Sequence, residues 1–356
     1  MSGLCAQVAA CEMNCAGGWA KDRRVRRTSG VGGDQGEDMA VMLRRSFLAG
    51  AAASGAVLAA GCRAPNRLTV VLDWLLDANH AALFAAKASG AFQRAGLEVD
   101  LVAPADPDSP CRLVAAGKAD VAIAYGTQIN MIVSAGLPLL RIATLIDRPL
   151  NTVSALAGGP IHTLVDLKGR KVGLSVGGVE EALLDAMLQS VGLRAADLNL
   201  IKVNYDMVTA LVDGRLDAAV GAFRNVEVLE LRQMGHPPVV FRPEDYGVPL
   251  YDELILVARA DRRGDPRLAR LLSALKAGTQ VLLKDPEAMW RIFAAAHPEL
   301  ATPLNHASWI ATMPAIAPDP AALDDARYLA FQAFALKHGV IAKALPLDRF
   351  AVQIMA

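Results

Sequence analysis

Ala116-Gly-Lys-Ala-Asp120-Val-Ala-Ile123 and Asp213-Gly-Arg-Leu-Asp217-Ala-Ala-Val220 are two versions of one phrase. Each ends a helix on glycine, places a basic residue and then an aspartate, and opens an apolar strand. Outward from the first copy, residues 68–72, 97–102, 121–124 and 139–145 read as strands. Helical spacing occupies 80–92, 111–116 and about 127–135 between them. Outward from the second, the order restarts: a helical turn and strand over 164–175, a helix over 179–191, a strand at 198–203, a helix at 207–212 and a strand at 218–222. A strand at 253–258 follows, then helices at 266–283 and 286–296.

Alternating strands and helices imply mostly parallel sheets flanked by helices. Two such units in tandem, with the chain returning to the first, predict an α/β, two-lobed periplasmic-binding-protein fold of type II. The expected division is lobe 1 over 63–158, lobe 2 over 159–243, and a return to lobe 1 with C-terminal helices over 244–356. A ligand would lie in the cleft between lobes, at the carboxyl ends of the strands, and closure would be a hinge motion.

The N-terminus reads as an address. Arg44 and Arg45 precede a short apolar stretch that ends Ala59-Ala60-Gly61-Cys62, the layout of an export signal over 42–62. Arg-Arg-Ser-Phe-Leu resembles a twin-arginine motif. The ending resembles a lipobox, with Leu58 one place further from the cysteine than is usual, so Cys62 is the expected lipidation site. Residues 1–41 fit no such pattern and read as an upstream extension outside the natural product. A periplasmic protein held to the membrane through Cys62 is the expectation.

Composition narrows the chemistry. The 36 basic and 36 acidic residues balance, which gives no electrostatic case for nucleic acid. Of five cysteines only Cys111 falls in the expected folded part, so neither an internal disulfide nor a cysteine metal site is predicted there. No metal, cofactor or catalytic cluster is expected, and a monomer is.

Leu72-Asp-Trp74, Asn79-His80 and Gly90-Ala-Phe92 together resemble the opening of the thiamine-pyrimidine-precursor binding proteins of bacterial ABC importers. Gly117-Lys-Ala-Asp120 and Asp166-Leu-Lys-Gly-Arg-Lys-Val-Gly173 are shared across the wider superfamily, which includes sulfonate, nitrate and taurine binders and the fungal thiamine pyrimidine synthases. Gly221-Ala-Phe-Arg-Asn-Val-Glu227 and Glu244-Asp-Tyr-Gly-Val-Pro249-Leu-Tyr251 are more specific to the pyrimidine branch. The chain departs from the pattern at Leu75-Leu76 and at Arg224. The resemblance implies a receptor for a formylaminopyrimidine or hydroxymethylpyrimidine type of ligand, serving a permease and an ATPase. Riboflavin, a sulfonate or another heteroaromatic is the alternative ligand. A synthase-like enzyme is a further alternative, against which stands the lack of any cysteine after Cys111.

An aminopyrimidine is a flat ring with an amine donor and ring-nitrogen acceptors. Aromatic faces and a carboxylate on its edge would recognise it. Glu227 is the candidate for the edge, a solvated helix-start glutamate being the other reading. Trp74, Tyr125, Phe223 and Tyr251 are candidates for stacking, with a core role as the alternative for Trp74. Asn79 and His80 are further ligand-binding candidates: they open a helix, where an N-terminal amide cluster favours polar or anionic groups, a cap or surface residue being the other reading for His80. Asn225 lies in the branch-specific segment. Ser175, Gly177 and Gly178 open another helix, where free N–H groups could cradle a formyl oxygen, a carboxylate or a phosphate.

Overall fold

A computed structural model describes residues 66–355. The export signal over 42–62, Cys62 and the upstream segment 1–41 lie outside the described residues.

The first four strands are β1 (Arg67–Val71), β2 (Glu98–Val102), β3 (Val121–Tyr125) and β4 (Leu139–Ile146). The chain then crosses to build β5 (Asn151–Leu156), β6 (Lys171–Leu174), β7 (Asn199–Lys202), β8 (Ala218–Phe223) and β9 (Pro238–Phe241), and returns as β10 (Leu254–Arg259). These form two five-stranded sheets of matching order, β2-β1-β3-β10-β4 and β7-β6-β8-β5-β9. In each, the fourth position is held by the antiparallel strand that has just crossed from the other sheet: β10 between β3 and β4, β5 between β8 and β9.

The repeated phrase has a mechanical role in this pattern. Asp120 Oδ2 accepts from the Thr69 N–H at 2.9 Å, and Asp217 Oδ2 accepts from the Lys171 N–H at 2.9 Å. Each aspartate thus ties the strand that it opens to the neighbouring parallel strand, β3 to β1 and β8 to β6. Gly117 and Gly214 precede them with φ of 70° and 69°, a left-handed conformation that ends the helix at little cost for glycine.

Two expectations are corrected. The lobe boundary expected at 158 falls between Ile146 and Asn151, because β5 already pairs with β8 and β9. Its run Asn-Thr-Val-Ser-Ala-Leu is nearly all buried, with polar residues whose hydroxyls are satisfied inside: Thr152 Oγ1 donates to Ala222 O at 2.6 Å. The helix expected over 80–92 is two helices, α1 (Ala81–Ala88) and α2 (Ala91–Arg94), broken at Gly90.

The remaining helices are α3 (Pro110–Ala115), α4 (Ile129–Ser134), α5 (Val179–Gln189), α6 (Met207–Val212), α7 (Glu227–Gln233), α8 (Pro266–Lys284), α9 (Pro286–Ala296), α10 (Pro303–Thr312) and α11 (Asp325–Lys337). The largest core lies under the first sheet, where Phe84, Phe293 and Trp309 meet α1 and α8 residues. A second core, on the second sheet, extends to Phe331 and Ala335 of α11. Helix α11 therefore belongs to both halves, since its Tyr328 packs under the first sheet. Among the described residues no helix is long and apolar enough to cross a membrane.

Candidate functional site

The ends of β1 and β3 bring Asp73 and Tyr125 together. Asp73 is buried; its Oδ2 accepts from the Tyr125 hydroxyl at 3.1 Å, and its Oδ1 lies 3.0 Å from His80 Nε2. A short turn, Ala78–His80, is capped by Asp77, whose Oδ1 accepts from the Asn79 N–H at 2.8 Å. His80 is buried with a carboxylate oxygen 3.0 Å from each ring nitrogen, Asp73 at Nε2 and Asp77 at Nδ1. Burial opposes the charged ring, but these two acids outweigh it and lift His80 to about 10. The Asp77 N–H also points at Nδ1 (3.1 Å) and would favour a neutral ring; one such dipole does not match two carboxylates. His80 and Asn79 thus organise the wall of the first lobe.

On the second lobe, Glu180 in the first turn of α5 is buried. Its Oε2 accepts from the Ser175 N–H at 2.7 Å. Its Oε1 rests against the backbone of Gly221, where an added Cβ would lie 2.3 Å away. Glu227, at the start of α7, accepts from the Phe223 N–H at 2.8 Å. Glu253, on the return crossing, accepts from Leu150 and Asn151 N–H groups at 2.5 and 2.8 Å, and so ties the two crossings together. Burial pushes Glu180 and Glu227 up to about 8 and Glu253 up to about 7, against the pull of these N–H groups. The three acids sit near the boundary between protonated and ionised at neutral pH.

The two halves meet across the cleft through named pairs. Trp74 follows β1 and Tyr205 follows β7; their rings meet edge to face with centroids 4.5 Å apart. The Tyr205 hydroxyl donates to Pro104 O at 2.9 Å. Asn225 Nδ2 donates to Asn79 Oδ1 and to Thr312 Oγ1, both at 2.7 Å. Phe223 packs against the core of the first lobe.

Most sequence candidates therefore gather at the facing strand ends: Trp74, Asn79, His80, Tyr125, Phe223, Asn225 and Glu227. Two expectations are corrected. The ring of Tyr251 is buried in the core of the second sheet, 5.6 Å from Phe331 and edge-on to it, so its stacking partner is the protein. The helix-start cradle is also taken by the protein. Ser175 Oγ donates to Asn204 O at 2.5 Å, and the Gly177 N–H donates to Asp108 Oδ1 of the first lobe at 2.9 Å. Asp73, Glu180 and Glu253 were not anticipated. Asp73 stands inside the quoted Leu72-Asp-Trp74, and Glu180 follows the quoted glycine pair, so position at a strand end was the available signal. Nothing in the sequence around Glu253 marks it out, because its partners come from the other crossing.

With this geometry in place, residues 77–289 match the NMT1/THI5-like family, and the chain belongs to it. It is 42% identical over 292 residues to a putative thiamine biosynthesis protein of Haemophilus influenzae, covering 82% of this chain and 93% of that one. It is 34% identical to the formylaminopyrimidine-binding protein of Halalkalibacterium halodurans, covering 66% of this chain and 72% of that one. Among solved structures it resembles the alkanesulfonate-binding protein SsuA of Xanthomonas axonopodis pv. citri with a TM-score of 0.64 at 16% identity, covering 81% of this chain and 98% of that one. That likeness bears out the two-lobed periplasmic-binding-protein fold.

Proposed function

We propose that this chain is the solute-binding component of an ABC importer and captures a thiamine pyrimidine precursor of the formylaminopyrimidine or hydroxymethylpyrimidine type. The carrying observation is the set of carboxyl groups at the cleft, buried Glu180 and half-buried Glu227 above all, each with one oxygen engaged by a backbone N–H. A carboxyl group near its titration point can accept from an exocyclic amine and either accept from or donate to the adjacent ring nitrogen. That two-point pairing suits an aminopyrimidine edge. Glu227 is the proposed edge reader, and Trp74, with Tyr205 and Tyr125, supplies aromatic faces. The 34% identical relative is named for a formylaminopyrimidine, which supports the same ligand class.

The protein is a receptor on this reading, not an enzyme. The pyrimidine synthases that share the family are implied to use a cysteine-rich segment, whereas Cys111 is the one free cysteine among the described residues and is buried. Export to the periplasm, a lipid anchor at Cys62 and docking to a permease and ATPase complete the proposal. They rest on the sequence of the N-terminal segment and on the receptor reading.

The test is calorimetric titration of the chain from Arg63 with a formylaminopyrimidine, a hydroxymethylpyrimidine, riboflavin and an alkanesulfonate. Binding of a pyrimidine in preference to the others is the expected result; a clear preference for riboflavin or the sulfonate overturns it. For the anchor, Cys62→Ser is expected to move the exported protein from the membrane fraction to the soluble one.

A further inference from the structure

The loop between β2 and α3 reaches across the cleft and holds the other lobe chiefly through one carboxylate, that of Asp108. Asp108 belongs to the first lobe. Its Oδ1 accepts from the Gly177 N–H at the mouth of α5 (2.9 Å), and its Oδ2 pairs with Lys202 at the end of β7. The loop is built to place it. Asp106 Oδ1 accepts from the Asp108 N–H at 3.0 Å, and the Ser109 hydroxyl donates to Asp106 O at 2.6 Å. The Tyr205 hydroxyl fastens the same loop through Pro104 O at 2.9 Å.

A helix-start N–H beside a lysine is a combination that binds anions. Here the Gly177 N–H is taken and the half-exposed Lys202 is engaged by one of the protein's own side chains, Asp108, which is only 17% exposed. Any anion entering at this point would have to displace Asp108, and would then face the buried Glu180 close behind it, a group near enough to feel the charge of Asp108.

Resting on the receptor reading above, we infer that Asp108 plugs a latent anion site at the mouth of the cleft and makes this receptor reject sulfonates and phosphate esters in favour of uncharged or cationic rings. Discrimination here comes from a built-in repulsive element, as specificity between similar ligands often requires. The same contact also clasps the two lobes together.

Removing the plug should uncover the site. Titrations with ethanesulfonate, inorganic phosphate and a 4-aminopyrimidine would compare the unaltered chain with Asp108→Ala, Asp108→Asn and the double variant Asp108→Ala/Lys202→Met. The unaltered chain is expected to bind neither anion at millimolar concentration. Asp108→Ala is expected to bind at least one of them, Asp108→Asn less tightly, and the double variant neither. Pyrimidine affinity in Asp108→Ala should fall only about fivefold or less, the worth of one part-exposed ion pair. Thermal melts confirm that each variant is folded. Anion binding by the unaltered chain as tight as by Asp108→Ala overturns the inference, as does its absence from both folded single variants. Failure of every version to bind the pyrimidine, with anion binding still gained on removal of Asp108, would instead overturn the receptor's proposed ligand and leave the plug standing.

Discussion

Asn225 of the second lobe donates to Asn79 of the first across 2.7 Å, and both side chains are buried. A polar contact enclosed between two moving bodies acts differently from one inside a rigid core. When the lobes part, water can replace it; when they close, it must be made or its groups stay unpaired. Asn225 also donates to Thr312, so one amide closes three elements. Asn225→Ala leaves Asn79 Oδ1 without this donor in the closed form. The expected penalty of about 1–3 kcal/mol falls on closure. It should weaken ligand binding by roughly fivefold to a hundredfold. Calorimetry against the pyrimidine checks the affinity, and small-angle scattering checks closure. Unaltered affinity would show that this contact does not govern closing.

The assignment of Glu227 as edge reader makes a separate prediction. Glu227→Gln keeps the shape and can still accept from the Phe223 N–H, but can no longer ionise to form a charge-assisted pairing with a ring amine. A loss of about 1.5–3 kcal/mol in binding is expected, with the melting temperature of the ligand-free protein little lowered. Unchanged affinity in Glu227→Gln, with a loss in Glu180→Gln, would transfer the role to Glu180.

Stability should fall as pH rises, and the sign follows from which state holds its protons more tightly. Glu180 and Glu227 stand at about 8 in the folded chain against an ordinary value of 4.5, so the folded state retains protons that the unfolded state releases. Their neutral forms are tolerated at low pH, and stability declines between about 4.5 and 8. His80 is raised from 6.5 to about 10; its ion pairs contribute in full below 6.5 and are lost as pH climbs through 10. Thermal melts of the ligand-free protein from pH 5 to 10 should therefore decline throughout. Glu180→Gln, which imitates the protonated acid, should flatten the lower part of the curve and leave the alkaline part in place. An identical slope in that variant would show that Glu180 does not titrate in this range.

Beneath the crossings, Asp252 is buried and receives the Thr144 hydroxyl at 2.6 Å, the Tyr328 hydroxyl at 2.8 Å and Arg327 at 2.5 Å. Arg327 also donates to Asp147 O at 2.8 Å, so the two crossings are pinned to α11 at one point. Asp252→Ala would strand these donors and is expected to cost about 3–5 kcal/mol in denaturant unfolding. Asp252→Asn, which keeps one of the two acceptor oxygens and the side-chain volume, should cost less. Equal losses in both would mean that packing, not the network, supplies the stability.

The fold was legible because its determinants are local and repeated. The phrase around Asp120 and around Asp217 marks β3 and β8, and both aspartates turn out to hold the neighbouring parallel strand, β1 or β6, by the same bond. β5 was missed because it crosses to the other sheet within a few residues of β4, and its Thr152 and Ser154 bury hydroxyls that a strand on a polar surface would also carry. The cleft was half legible. Trp74, Asn79 and His80 were singled out by their position at a strand or helix end, and Asn225 by the branch-specific segment. The capture of Gly177 by Asp108 spans 69 residues, and that of Leu150 by Glu253 spans 103, so neither leaves a local pattern to read.

Gly221 tests whether the placement of Glu180 matters to the site. It lies on β8 with φ of 100°, a conformation that strains any residue with a side chain, and the Glu180 carboxyl occupies the space where a Cβ would stand. Gly221→Ala combines backbone strain of about 1–3 kcal/mol with forced movement of that carboxyl. Melting temperature and pyrimidine affinity should both drop. The two effects can be separated by Gly221→Ala/Glu180→Ala, which removes the clash but not the strain. If Glu180 itself contributes to binding, the double variant should recover part of the stability while the affinity stays low. Recovery of both together would mean that Glu180 obstructs the cleft in the single variant and does not read the ligand.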